Sequence, residues 1–157
     1  MRPKRVISGG QTGVDRAALD AAMAAGIPVG GWCPKGRRAE DGPIDPRYPL
    51  VETETADYRE RTERNVRDAD ATLILSPTPL TGGTLATARA CRKWNKPFEI
   101  VDPWAPDAAA RIRAWLHAHK PQTLNIAGPR ESQRPGIGEQ VRKLLAEVFA
   151  QEEASDC

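Results

Sequence analysis

At 157 residues the chain is long enough for one domain with a substantial core. Hydrophobic residues make up 39% and charged residues 28%, the balance of a globular fold, and a net charge of +2 is too small to draw the protein to nucleic acid or a membrane surface. No apolar run approaches the roughly 18 residues of a membrane span, a strand begins too early for a signal peptide, and three cysteines without metal-type spacing fit a reduced, cytoplasmic setting.

In chain order, apolar runs alternate with helical patterns. A first strand at 4–8 leads through V-I-S-G-G-Q-T-G-V-D-R into an Ala-rich helix at 13–25, with Gly26 as its C-cap. A second strand is expected at 27–32. Residues 33–50 carry too many prolines and glycines for regular structure, and a loop of that length is usually functional or disordered. A strongly charged helix at 57–68 follows, in which Glu60–Arg64 and Glu63–Arg67 are spaced to pair. The run A-T-L-I-L-S at 71–76 reads as a buried strand, and 82–94 as a helix. A strand at 97–102 comes next, then a helix with Ile112, Trp115, Leu116 and His119 at half-buried spacing. A fifth strand at 123–127 and a helix at 138–151 close the domain, taken as 1–151, and 152–157 is expected to fray. This alternation predicts an α/β fold: a mostly parallel sheet of about five strands with helices on both faces.

Ligands on such sheets bind beyond the carboxyl ends of the strands. Three glycine-rich turns follow strands there, and each is expected to offer backbone N–H groups to an anion, most often a phosphate. The first contributes Gly9, Gly10, Gln11, Thr12 and Gly13, with Asp15 and Arg16 at its rim. The second contributes Ser76, Thr81, Gly82, Gly83 and Thr84, and the third Arg130, Ser132 and Arg134. The first turn is neither a G-x-G-x-x-G nor a P-loop pattern, and no acid follows the second strand to bind a ribose, which argues against classical NAD binding.

Within 33–50, Lys35, Arg37 and Arg38 could clamp an anion, while Glu40, Asp41 and Asp45 could supply a general base. Cys33 has no His nearby in sequence to activate it. His117 and His119 lie two apart and cannot chelate together from a helix, so no protein metal site is expected. Trp32, beside the basic loop, is a candidate for stacking on a flat heterocycle.

The motifs S-G-G-Q-T-G-V-D-R-A at 8–17, G-W-C-P-K-G-R-R-A-E-D-G at 31–42, T-G-G-T at 81–84 and N-I-A-G-P-R-E-S at 125–132 resemble those of the molybdenum cofactor carrier proteins. These form a circularly permuted branch of the LOG-like (lysine decarboxylase-like) Rossmann superfamily. The resemblance implies a three-layer Rossmann-like fold, a homo-oligomer (dimer or tetramer) and a pocket for molybdenum cofactor (molybdopterin), with molybdoenzymes as acceptors. It implies that Gly9, Gly10, Thr12, Thr81, Gly82, Gly83 and Thr84 face the ligand. The wider superfamily includes nucleoside-monophosphate phosphoribohydrolases whose pattern closes on a catalytic Glu, and Arg89 stands at that place here. The reading is therefore a binder of a phosphorylated small molecule, leaning away from catalysis. The alternatives are a phosphoribohydrolase-like enzyme using Glu40 or Asp41 and a nucleotide-sensing module.

Overall fold

The computed structural model describes residues 2–155, and the backbone alone for 151–155; Cys157 and the end of the expected tail lie outside the described residues. Among these residues β1 (Arg5–Ile7), β2 (Val29–Gly30), β5 (Ala71–Leu75), β6 (Phe98–Val101) and β7 (Thr123–Ala127) form one sheet in the order β2-β1-β7-β5-β6. Every pairing in it is parallel. The helices are α1 (Val14–Ala24), α2 (Tyr58–Asp68), α3 (Gly82–Lys93), α4 (Ala108–His119) and α5 (Ile137–Ser155). The last strand in the chain is thus the central one. Counted from β7, the order becomes 3-2-1-4-5, the Rossmann arrangement entered at a different point.

The core explains the layers. Val6, Leu73, Leu75, Val101, Leu124 and Ile126 project from one face of the sheet into a single apolar cluster with α1, α4 and α5. On the other face α2 and α3 pack together over a more polar surface, where Asn125 donates to the hydroxyl of Thr72 at 3.3 Å. All five residues of β5 are buried, as a parallel strand covered on both faces requires. No helix among the described residues is long and apolar enough to cross a membrane.

Two expectations need correction. The strand foreseen at 27–32 is split: after β2 the chain breaks at Gly31 and resumes as β3 (Trp32–Cys33), which pairs with β4 (Val51–Glu52) in a second, two-stranded sheet. At Gly31, φ is +125°, and a Cβ there would stand 2.3 Å from the Ser8 carbonyl oxygen, so only glycine lets the chain leave β1 at this point. On α2, Glu60–Arg64 pairs at 3.4 Å, but Glu63 reaches across to Lys93 at 3.3 Å while Arg67 takes Asp68.

Residues 33–50 have no helix or strand beyond Cys33, yet they are packed. Ile44, Tyr48 and Leu50 form a satellite core with Leu19 and Cys33. Arg37 holds the loop closed by donating to the carbonyls of Ile44, Leu50, Asp45 and Tyr48. A guanidinium so engaged is a staple of the fold. Replacing Arg37 by Ala should cost about 2–3 kcal/mol, the scale of lost charge-assisted hydrogen bonds, and make 33–50 the first site of proteolytic nicking. Leu73→Ala, in the fully buried centre of β5, should cost about 2–5 kcal/mol. Urea denaturation of both variants checks the two figures.

Candidate functional site

Chain connections run from β1 to β2 on one side of β7 and from β5 to β6 on the other, so strand order switches between β7 and β5. Open α/β sheets form their ligand crevice at such a point. Two adjoining clefts of ≈ 230 Å³ each lie there, sharing Thr84 and Gln133. Together they fall within the lower part of the usual size of ligand sites, about 300–1,000 Å³. The first is walled by Asp15, Tyr58 and Arg61 on one side and by Gly83, Thr84 and Thr87 of α3 on the other, with Arg130 at its edge. The second is lined by Ser76, Thr81 and Arg134 beside Thr84.

The start of α3 differs from the other two turns. Thr81 occupies the N-cap without a side-chain capping bond, and Leu85 N–H makes the first bond back, to Thr81 O at 3.2 Å. Among the described residues the amides of Gly82, Gly83 and Thr84 have no acceptor. Gly83 is exposed, and a Cβ there would meet nothing within 4 Å. Thr84 is only 6% exposed, its hydroxyl has no hydrogen-bond partner, and it lines both clefts. Neither Arg130 nor Arg134 forms an ion pair among the described residues.

At the third turn the amides expected to be open are taken by Glu131, whose carboxylate accepts from Gly136 N–H and Gly138 N–H (3.0 Å for the latter). At the first turn Gly10 N–H donates to Ser8 Oγ at 3.3 Å, Val14 N–H to Pro129 O at 3.2 Å, and Gln11 N–H to Asp15 Oδ2 at 3.4 Å. Asp15 is 2% exposed and holds the place an external anion would take. Burial pushes its carboxyl up from the usual range, while the Arg61 guanidinium at 3.2 Å and the N–H groups of Gln11 and Gly9 pull it back. Gly9 makes the pair possible: a Cβ there would stand 2.1 Å from Arg61 Nη1. Arg61 also lies over the Tyr58 ring, 5.7 Å from its centroid.

The residues singled out from sequence are divided between two places. Ser76, Thr81, Gly83, Thr84, Arg130 and Arg134 line the clefts at α3, and Gly82 sits between them at the helix start. Thr12, Gly13, Arg16, Glu40, Asp41 and Ser132 line a separate, larger hollow of ≈ 680 Å³ between α1 and α5. There Glu40 accepts from the hydroxyls of Thr12 and Ser132, and these bonds, Ser132 foremost, hold its carboxyl below the usual range. Asp41 is ion-paired with Arg16. Gly9, Gly10 and Gln11, the buried part of the first turn, line neither place, and Gln11 donates to Arg38 O at 2.8 Å. Lys35 and Arg37 line neither place, and Arg89 faces an outer groove between α2 and α3. The carboxylate at the α3 clefts is Asp15, not Glu40 or Asp41. Trp32 is covered on one face by Arg64 at 4.8 Å and donates to Asp68, and it lines neither α3 cleft. Burial pushes the Cys33 thiol up, and no cluster of three or more His, Cys, Asp or Glu among the described residues could hold a metal.

Tyr58, Thr87 and Gln133 escaped the sequence reading, in which Arg61 counts only among the charges of the 57–68 helix. On the charged α2, Tyr58 and Arg61 are one turn apart, a usable signal, but ion pairing along the helix accounted for its arginines equally well.

Residues 6–149 match the family described as "Circularly permutated YpsA SLOG family". A crystal structure from Syntrophus aciditrophicus SB, named "Putative molybdenum carrier protein", is 47% identical over 94% of each chain, with a TM-score of 0.89. The structure of (E)-4-hydroxy-3-methyl-but-2-enyl diphosphate reductase aligns with 92% of this chain and 59% of its own at 15% identity and a TM-score of 0.39, too weak a likeness to bear on fold or function. A search of curated proteins finds no match. With the family pattern matched across nearly its whole length and the sheet wound from a displaced starting strand, the chain belongs to the circularly permutated YpsA SLOG family.

Proposed function

We propose that this protein is a cytoplasmic binder of a phosphorylated heterocycle, a carrier of molybdenum cofactor, whose anionic tail sits at the start of α3. The observation that carries the reading is the set of unpartnered amides at Gly82, Gly83 and Thr84, opening on clefts that hold Arg130 and Arg134. An anion there gains from the positive end of the helix, from charge-assisted hydrogen bonds and from the Thr84 hydroxyl. The heterocycle would lie toward Tyr58 and Arg61, whose aromatic and guanidinium faces suit a flat ring. The name of the Syntrophus aciditrophicus relative supports the choice of cargo.

A carrier must also release its ligand. A micromolar dissociation constant, about 8 kcal/mol of binding, is compatible with that. Delivery to apo-molybdoenzymes and self-association as a dimer or tetramer complete the reading. A nucleotide-hydrolysing alternative would have to run through Asp15, because Glu40 and Asp41 line the other hollow. Release of free base from AMP or GMP would favour it.

The direct test is to load the protein with molybdopterin, isolate the complex by gel filtration and mix it with an apo-molybdoenzyme. The expected result is co-elution followed by transfer; absence of both contradicts the carrier reading. A second expectation concerns Gly83→Asp. An acidic side chain is favourable at a helix start, so thermal stability should be unchanged, while molybdopterin binding falls by about tenfold or more through like-charge repulsion. Paired melting and titration measurements separate the two effects.

A further inference from the structure

We infer that the two adjoining clefts are the halves of one site for a diphosphate group, with one phosphoryl beside Arg130 and the other beside Arg134, astride the start of α3. This rests on the proposed anion site but not on molybdopterin as the cargo, whose tail is a single phosphate; it specifies a heterocyclic ligand with a diphosphate tail. Thr84 is the first support. It is more than nine-tenths buried, its hydroxyl is unpartnered, and it forms part of both cleft walls, so a donor is waiting where the two spaces meet.

The second support is the distribution of charge. Arg130 and Arg134 rise from one turn, in which Arg134 N–H donates to Arg130 O at 3.2 Å, yet each lines a different cleft. Neither guanidinium forms an ion pair among the described residues, unlike Arg16 and Arg61 nearby, which do, although the Arg130 charge is felt by Glu40 across the third turn. Gln133 stands between them as the other shared wall, held by Arg130 N–H donating to its Oε1 at 3.2 Å. Two guanidinium groups in different clefts, with three amides between them, spread their donors wider than a single phosphoryl group spans. A diphosphate presents a phosphoryl group to each arginine and further non-bridging oxygens to the amides between them.

The test is isothermal titration of the full chain with inorganic phosphate and with pyrophosphate, in buffer with EDTA so that no divalent cation bridges the anions. Pyrophosphate should bind at least tenfold more tightly than phosphate. Arg134→Gln, a change at an exposed position, should weaken pyrophosphate much more than phosphate, so that the tenfold advantage is lost. Phosphate binding without a pyrophosphate advantage, or an advantage that survives Arg134→Gln, overturns the diphosphate assignment and leaves the anion site standing. Failure of both anions to bind overturns the assignment and the anion site together.

Discussion

A backbone N–H at the beginning of a helix has no partner within that helix, and something must satisfy it: a side chain, water or a ligand. Three strand-to-helix turns of this protein face that requirement along the edge of the sheet where strand order reverses. At two of them the chain supplies its own oxygens. Glu131 caps α5 with both carboxylate oxygens, and Asp15 folds back under the turn that precedes α1. At α3 it supplies none among the described residues, and two clefts meet there at Thr84. The functional reading follows from that difference between otherwise similar turns.

The closed first turn still contributes. Arg61 reaches across from α2 because Gly9 has no side chain, and its ion pair with Asp15 fixes one wall of the cleft. Removing one member of a buried pair leaves the other uncompensated, at a cost of about 3–5 kcal/mol. Asp15 and Arg61 therefore couple the integrity of the wall to the fold. The segment 33–50 has a comparable role on the opposite side, where Glu40 ties the first turn to the third and Arg16 is held by Asp41. These contacts also anchor the turn that carries Arg130, Gln133 and Arg134 into the α3 clefts.

Much of the architecture was legible in sequence because periodicity reports burial. The run A-T-L-I-L marks a strand covered on both faces, and the spacing of Val141, Leu144, Leu145 and Val148 marks the inner side of α5. The fracture at Gly31 was hidden, since the positive φ and the proximity of the Ser8 carbonyl that require glycine there arise only in the folded chain. The site was legible to a lesser depth. Glycine-rich turns announce exposed amides, but sequence does not say whether a protein carboxylate already occupies them. Asp15 and Glu131 lie within a few residues of the amides they satisfy and look like ordinary polar neighbours. Arg61 and Tyr58 reach the cleft from a distant helix, across a tertiary contact that no local pattern encodes.

The measurement that bears most directly on the account is an amide-resolved NMR titration of the protein with an anionic ligand, using inorganic phosphate as the first probe. The account predicts that the amide signals of Gly82, Gly83 and Thr84 move together and saturate, while those of Gly10, Gln11, Gly136 and Gly138 stay in place. Saturable shifts confined to the first or third turn, with the start of α3 unaffected, would contradict it.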